Sequence, residues 1–370
     1  MKVELEDIPE ADRVPGAPHP RMTQRLIGQD HAVAQFVDAT REGRLHHAWL
    51  LTGPRGVGKA TLAWSIARWL LTGAASDDLS VPADDPVARR IAALSESAVQ
   101  LIRRPWDDKS GRLRAEITVD EVRRLLSFFR MTAADGGRRI AIVDAADDMN
   151  PQAANALLKL LEEPPTDGLI LLVAHQPARL LPTIRSRCRT LRLTSLSPER
   201  MAEALAGLGV VDQVEALAAL SEGSVGEALR LSGQDGLTRY QQIVDLFGTL
   251  PRMDRMAAAR LSDAAAGRPG AGGDPFDLTV TLLDRFLTRT ARAGLMGAPL
   301  PQAAKNEGAL MSRIAPDDRA ARDWAGAQAR LSARARSGRA VNLDPAALVM
   351  DMLTELAHLP PARSALPAPN

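Results

Sequence analysis

The stretch Ala48-Trp-Leu-Leu-Thr-Gly53-Pro-Arg-Gly-Val-Gly-Lys59-Ala60-Thr61 decides the fold of this 370-residue chain. Its first five residues predict a buried strand, and the residues after the last glycine predict a helix. A glycine-rich turn between a strand and a helix is the setting of a phosphate-binding P-loop. Gly53, Gly56 and Gly58 permit backbone angles that aim N–H groups inward, while Lys59 supplies a positive charge for phosphates. The sequence therefore predicts a phosphate cradle, the alternative being an ordinary glycine-rich turn.

A second apolar strand, at residues 139–143, leads directly into Asp144. A strand-end aspartate downstream of a P-loop is the position of the carboxylate associated with Mg²⁺. The hydroxyl ligand that should follow the P-loop lysine is missing, because Ala60 stands there. Thr61 lies about 100° further round a helix and is not an obvious substitute. The pattern predicts that phosphate binding survives this loss more readily than metal binding.

The rest of the chain divides by its hydrophobic pattern. Short apolar runs alternate with helical patterns over residues 21–195, which predicts an α/β domain with a mostly parallel sheet. The predicted strands are 48–52, 115–118, 139–143, 169–174 and 190–193. Later residues are helical throughout, which predicts a small helical lid at 196–233 and a larger all-helical domain at 234–358. The proline-rich ends, 1–20 and 359–370, are expected to be disordered.

Composition excludes several classes of protein. Lysine and arginine number 46 against 45 aspartates and glutamates, so overall basicity does not hold this chain on DNA. Aromatic residues make up only 3%, which argues against a single-strand binder that stacks bases. Cys188 is the one cysteine, so neither an internal disulfide nor a cysteine-rich zinc site is expected. Since no apolar run is long enough to span a membrane, we expect a soluble, cytoplasmic protein without a membrane partner.

Four segments occur in an order and spacing that resemble a known family. They are Leu26-Ile-Gly-Gln29, the P-loop at 53–61, Asn155-Ala-Leu-Leu-Lys-Leu-Leu-Glu-Glu-Pro-Pro165 and Thr183-Ile-Arg-Ser-Arg-Cys188. Together they resemble the clamp-loader AAA+ proteins of the bacterial DNA polymerase III holoenzyme. The resemblance implies a five-membered hetero-oligomeric ring, held by a helical collar at 234–358, that opens a sliding clamp and places it on primed DNA. Its implied partners are motor subunits of the gamma/tau type, a clamp-opening subunit of the delta type, the sliding clamp and primer–template DNA, within the replisome at the nucleoid.

The motif Ser186-Arg187-Cys188 carries the most specific functional expectation. By the resemblance, Arg187 is an arginine finger that acts in trans on ATP held by a neighbouring subunit. A guanidinium in that position stabilises charge on the transferring phosphoryl group. Without the resemblance, the arginines around residue 187 would be interpreted as a solvated helix end. Cys188 is expected to be a small packing residue rather than a nucleophile.

Three positions depart from the active members of that family. Ala60 replaces the magnesium-binding hydroxyl, Ala145 replaces the catalytic glutamate, and Gly226 stands where active relatives carry a sensor arginine. Because phosphoryl transfer depends on positioning and charge neutralisation, these losses predict a non-hydrolysing, stator-like subunit. The expected nucleotide-binding residues are then vestigial: Gly53, Gly56, Gly58, Lys59, Thr61 and Asp144. The sequence leaves open whether ATP and Mg²⁺ bind weakly or not at all, and implies no required cofactor and no zinc.

Other interpretations remain open at this point. An active AAA+ motor, either a clamp-loader motor subunit or a Holliday-junction helicase motor, is favoured by Gly58, Lys59 and Asp144. A P-loop kinase for a small molecule is disfavoured by the long helical second half and the Ser-Arg-Cys motif. The arginine-rich stretch 313–339 is expected to be a solvated helix face, with packing against other subunits as the alternative.

Overall fold

The computed structural model describes residues 10–14, 17–130, 137–268 and 273–359. The chain forms two compact units, of which the first comprises residues up to Ala204 together with Gly223–Gly226. The second comprises Leu205–Glu222 and the residues from Glu227 onward. This boundary runs through the predicted lid at 196–233, and the separation into sheet domain, lid and collar stays a prediction.

The first unit is built on a five-stranded sheet whose strands follow the order β2-β5-β6-β1-β7. All adjacent pairs in this sheet are parallel, as predicted. A separate two-stranded antiparallel hairpin pairs β3 with β4. The strands are β1 Ala48–Thr52, β2 Val99–Ile102, β3 Trp106–Asp107, β4 Arg112–Leu113, β5 Arg139–Asp144, β6 Gly168–Val173 and β7 Arg189–Arg192.

Helices cover both faces of this sheet. They are α1 Asp30–Arg41, α2 Lys59–Thr72, α3 Pro86–Ala92, α4 Val119–Arg130, α5 Pro151–Glu162, α6 Pro182–Ser186 and the start of α7 Pro198–Gly207. Successive strand side chains point to opposite faces, so Trp49 and Leu51 join one core cluster while Leu50 joins the other. The first cluster includes α1, α2 and α3, and the second includes α4, α5 and α6. Strands buried on both faces explain the continuous apolar runs seen in the sequence.

The predicted strand at 115–118 is wrong. Instead, β2, which was not predicted, lies at one edge of the sheet, next to β5. Ile117 is fully buried but makes only an isolated parallel bridge to Met149. Thr118 then begins a helix, because its backbone N–H and hydroxyl both donate to the Glu121 carboxylate. This Thr-x-x-Glu arrangement is a helix-starting device, and it explains why a short β-branched run did not become a strand.

The second unit is helical throughout its described residues, as predicted. Its helices are α8 Val214–Ser221, α9 Val225–Gly233 from Glu227 onward, α10 Gly236–Gly248, α11 Arg255–Ala265, α12 Pro275–Met296, α13 Glu307–Ile314, α14 Asp318–Ala340 and α15 Pro345–Ala357. Phe247, Phe286 and Trp324 stack edge to face or tilted at its centre. No helix among the described residues is long and apolar enough to cross a bilayer.

A buried carboxylate ties three helices of the second unit together. Glu307 is fully buried and receives a 2.6 Å hydrogen bond from the Tyr240 hydroxyl. Arg289 donates to both of its carboxylate oxygens, at 2.7 and 3.0 Å. The backbone N–H of Ala303 adds a fourth donor at 2.7 Å. Four donors satisfy a charge that would otherwise be costly to bury.

The arginine-rich stretch 313–339 is paired within the chain rather than simply solvated. Arg330 and Arg334 reach the Glu355 carboxylate on α15. Arg336 and Arg339 reach acidic residues on or next to α12. These exposed pairs therefore connect α14 to its neighbouring helices.

The ends expected to be disordered are described only in part. Residues 1–9, 15–16 and 360–370 lie outside the described residues. Residues 10–14 and 17–20 differ from the expectation, because Glu10, Asp12 and His19 are held in ion pairs. Acidic side chains that looked typical of a solvated tail are thus bound to partners far along the sequence.

Candidate functional site

The P-loop has the backbone that its glycines predict. It joins β1 to α2, and Gly53, Gly56 and Gly58 have φ values of +138°, +78° and +102°. A Cβ atom at Gly53 would lie 2.4 Å from the backbone oxygen of Leu193, so only glycine fits this close approach. Ala60 and Thr61 both lie in the first turn of α2. The structure therefore brings the predicted cradle residues together.

The side chain of Lys59 binds to the backbone of the P-loop itself. The side chain is almost fully buried, and Nζ donates to the carbonyl oxygens of Gly53 and Pro54 at 2.8 and 2.6 Å. Burial lowers the pKa of Lys59 to about 8, although the negative charge of Asp144 opposes this effect. A phosphate would have to replace these two carbonyl contacts before the ammonium group could bind it.

Asp144 ends β5 at the same edge of the sheet. Burial raises its pKa to about 7, with the charge of Asp12 adding to the effect and Lys59 opposing it. A carboxyl group whose pKa lies near 7 is only partly ionised at neutral pH, which weakens it as a ligand for Mg²⁺. The next residue, Ala145, is buried and carries no group that could activate water. Among the described residues, no cluster of histidine, cysteine, aspartate and glutamate side chains is arranged to hold a metal ion.

Asp147 lies in the short turn Ala146–Asp148 that follows β5. Its carboxylate accepts hydrogen bonds from the backbone N–H groups of His175 and Gln176, at 2.8 and 3.1 Å. It therefore connects the ends of β5 and β6. The contact spans 28 residues, so the local sequence gave no sign of it.

His175 is a residue at this edge that the sequence analysis missed. It follows β6, and burial together with the positive charges of Lys59 and Arg55 lowers its pKa to about 4. The imidazole is therefore neutral at physiological pH. Its signal in the sequence is a polar residue directly after a buried strand, at the edge where parallel sheets bind ligands.

Gly226 lies directly on the P-loop. Its backbone N–H donates to the carbonyl oxygen of Gly56 at 2.9 Å, and the Ser224 hydroxyl donates to that of Arg55 at 2.8 Å. A Cβ atom at Gly226 would lie 2.9 Å from the Gly56 Cα. The predicted replacement of a sensor arginine by glycine thus allows backbone-to-backbone contact, and any longer side chain would push the two segments apart.

Arg187 lies at the amino ends of the parallel strands, whereas the cradle lies at their carboxyl ends. The P-loop follows β1, Arg187 precedes β7, and these two strands are parallel neighbours. Its Nη1 donates to the Thr183 carbonyl oxygen at 3.1 Å, and Nη2 lies 3.0 Å from Glu162 Oε1. The guanidinium is part-exposed and separate from the phosphate cradle of its own chain.

The two neighbours of Arg187 in the motif have local roles. The Ser186 hydroxyl donates to the Thr183 carbonyl oxygen at 3.1 Å. Cys188 packs against the core cluster around α5 and α6, and burial raises the pKa of its thiol to about 12. Such a thiol is not a nucleophile near neutral pH, in agreement with the packing role expected for it.

Comparison with known proteins supports the resemblance seen in the sequence. Residues 28–197 match the family model described as DNA polymerase III, delta subunit. The chain is 38% identical over 203 residues to the DNA polymerase III subunit delta' of Pseudomonas aeruginosa, covering 54% of this chain. These matches support the predicted resemblance to the clamp-loader AAA+ proteins, close to delta'.

Two further relatives show how far the likeness to clamp-loader AAA+ proteins extends. The chain is 31% identical over 225 residues to the delta' subunit of Bacillus subtilis, covering 60% of this chain and 65% of the relative. It is 30% identical over 244 residues to the DNA polymerase III subunit tau of Escherichia coli, covering 62% and 36%. It also spans only 60% of the length of the Pseudomonas aeruginosa subunit. The match to the family model, at residues 28–197, lies within the sheet unit.

Proposed function

We propose that this chain is a non-hydrolysing, stator-like subunit of a DNA polymerase III clamp loader. It helps to load the sliding clamp onto primed DNA and offers Arg187 to ATP held by a neighbouring motor subunit. The match to the delta subunit family model and the likeness to delta' support the clamp-loader role. The observation that carries the stator role is the closed cradle, in which Lys59 donates to the carbonyl oxygens of its own loop and Ala60 stands where a hydroxyl ligand is expected.

The partners follow from the same proposal. They are motor subunits of the gamma/tau type, a clamp-opening subunit of the delta type, and the clamp and primer–template DNA through the complex. The chain acts in the cytoplasm, at the replisome on the nucleoid. It requires no cofactor and no zinc of its own, and ATP with Mg²⁺ binds weakly or not at all.

The trans role of Arg187 is supported by position and by unused donors. An arginine side chain carries five N–H donors, and Arg187 directs two of its nitrogens to Thr183 and Glu162. The side chain is 37% exposed, so its remaining donors are accessible to a partner. A guanidinium held in one orientation stabilises the charge of a transferring phosphoryl group better than a freely rotating one.

Reconstitution with motor and clamp-opening subunits tests the proposal. We expect Arg187→Ala to leave assembly intact and to abolish the clamp- and DNA-stimulated ATP hydrolysis at the neighbouring site, where a finger contributes about 10³–10⁵-fold. Arg185→Ala is the matched control, because Arg185 is exposed two residues away. Equal hydrolysis by complexes containing either variant would reject the finger assignment.

An active motor is the alternative function, and the cradle glycines with Lys59 and Asp144 at one sheet edge favour it. Steady-state ATP hydrolysis by the isolated chain separates the two functions. The stator proposal expects background turnover that Lys59→Ala leaves unchanged. Turnover at motor-like rates that Lys59→Ala abolishes would replace the stator with the motor.

A further inference from the structure

A short N-terminal segment is fixed to the sheet unit by a set of ion pairs. We call residues 10–14 and 17–19 the strap. The Asp12 side chain is 0% exposed, lying 2.5 Å from an Arg103 nitrogen and 3.0 Å from His19 Nε2. Glu10 lies 3.0 Å from Arg103 and 2.8 Å from Arg21. The two contacts with Arg103 bridge 91 and 93 residues of sequence, so they hold the strap to the body of the unit.

The strap lies beside three parts of the nucleotide cradle. Val14 Cγ2 would be 3.4 Å from a Cβ atom at Gly226, the residue that bonds to the P-loop. The His19 ring packs edge-on against Trp64 of α2, with ring centroids 6.3 Å apart. Arg103, the partner of Asp12, follows the last residue of β2, and that residue is paired with Val143, directly before Asp144. The strap therefore runs from the P-loop contact of Gly226 to the helix that the P-loop begins.

We propose that the strap closes the nucleotide face of this chain, so that the chain's own residues exclude a nucleoside triphosphate. The physical reason is twofold. The strap occupies space next to Gly226, and it places the Asp12 carboxylate at the end of β2 next to Asp144, where the phosphates of a nucleotide would meet the negative charge of Asp12. Exclusion by the strap is separate from the loss of hydrolysis, because it acts on binding and does not involve Arg187.

Arg103 is the residue on which the closed state depends. It is the shared partner of Glu10 and Asp12, and removing it leaves the buried Asp12 with His19 alone. Loss of one member of a buried ion pair is strongly unfavourable for the conformation that buries it. The apparent affinity for a ligand scales with the fraction of molecules whose site is open. A larger open fraction must therefore appear as tighter nucleotide binding.

The test compares two adjacent arginines in the full chain. Arg103→Gln removes the strap's partner, whereas Arg104→Gln is the matched control, because Arg104 pairs with Asp148 instead. Hydrogen–deuterium exchange over residues 10–23 measures release of the strap. Fluorescence titration with mant-ATP, with unlabelled ATP as competitor, measures binding with and without Mg²⁺.

We expect Arg103→Gln to speed exchange in the strap and to tighten mant-ATP binding by at least about tenfold over wild type and Arg104→Gln. Asp12→Asn, which removes the same ion pair from the strap side, should give the same pair of changes. Faster strap exchange with unchanged mant-ATP affinity in both variants would overturn the proposal. Wild-type affinity equal to that of Arg103→Gln would overturn it as well, as would strap exchange that neither variant alters.

Discussion

The guanidinium of Arg187 lies 3.0 Å from the carboxylate of Glu162, so the finger motif and the end of helix α5 are linked by an ion pair. Both side chains are substantially exposed, and such pairs contribute about 0.2–1 kcal/mol. The link is therefore strong enough to favour one orientation of the guanidinium and, on the proposed function, weak enough to release it to a neighbour's phosphate.

Glu162→Ala should lower ATP hydrolysis by the reconstituted complex about two- to fivefold, because the guanidinium then samples more orientations. Glu163→Ala is the control, since Glu163 is the adjacent exposed glutamate. Steady-state kinetics should place the loss in kcat rather than in KM. Should Arg187→Ala impair hydrolysis while both glutamate variants match wild type, the finger would stand and the orienting role of Glu162 would not.

Helix α9 contains two glycines whose replacement by alanine should change stability in opposite directions. At Gly226 the new Cβ meets the Gly56 Cα at 2.9 Å, so we expect a loss of about 1–3 kcal/mol in unfolding free energy. At Gly233 the new Cβ meets no atom within 4 Å, and the better helix propensity of alanine should add up to about 1 kcal/mol. Urea unfolding of both variants measures the difference. Equal stabilisation by the two alanines would show that Gly226 does not contact the P-loop.

The raised pKa of Asp144 predicts a pH-dependent stability. Because the folded pKa is about 7 against an ordinary 3.8, its contribution is fully present at low pH and is lost as pH rises through 7. Asp144→Asn removes this dependence. The unfolding free energy of the variant, relative to that of wild type, should therefore rise by about 2–4 kcal/mol between pH 4 and pH 8. Denaturant unfolding of both proteins at the two pH values measures this. A difference that stays constant with pH would contradict the assignment.

The Glu307 network should be among the most sensitive sites of the helical unit. Glu307→Ala leaves buried Tyr240 and part-buried Arg289 without their carboxylate, and we expect a loss of about 3–5 kcal/mol in unfolding free energy. Glu355→Ala is the control, because its pairs with Arg330 and Arg334 are exposed and should be worth no more than about 1 kcal/mol. Similar losses for both variants in thermal unfolding would show that the buried network is not special.

The parts of the fold that could be predicted from the sequence are those that depend on neighbouring residues in the chain. β1 was predicted with its bounds, and a helix was predicted after the last glycine of the P-loop, where α2 begins at Lys59. The edge strand β2 was missed because its four residues include a polar glutamine and lack the continuous apolar run of a central strand. The part-buried side chains of an edge strand leave a weaker pattern.

The residues of the candidate site likewise divide into those with a local sequence signal and those without one. The glycines and Lys59 were found because a P-loop has fixed spacing, whereas the hydrogen bond between Gly226 and Gly56 joins residues far apart in sequence. Asp12 looked like part of a solvated acidic tail, since nothing near it reveals the partner 91 residues away. Contacts of this kind arise from the folded topology, and a single sequence carries no local signal for them.

The placement of Arg187 and the P-loop on opposite edges gives the subunit a direction. In a series where each member serves its neighbour's nucleotide, a chain that offers an arginine but holds a closed site can act as donor and not as acceptor. On the proposed function, such a chain terminates the series. In an assembly that contains one copy of it, the subunit interfaces are not equivalent. The interface next to its closed nucleotide site is the one that bound ATP does not stabilise.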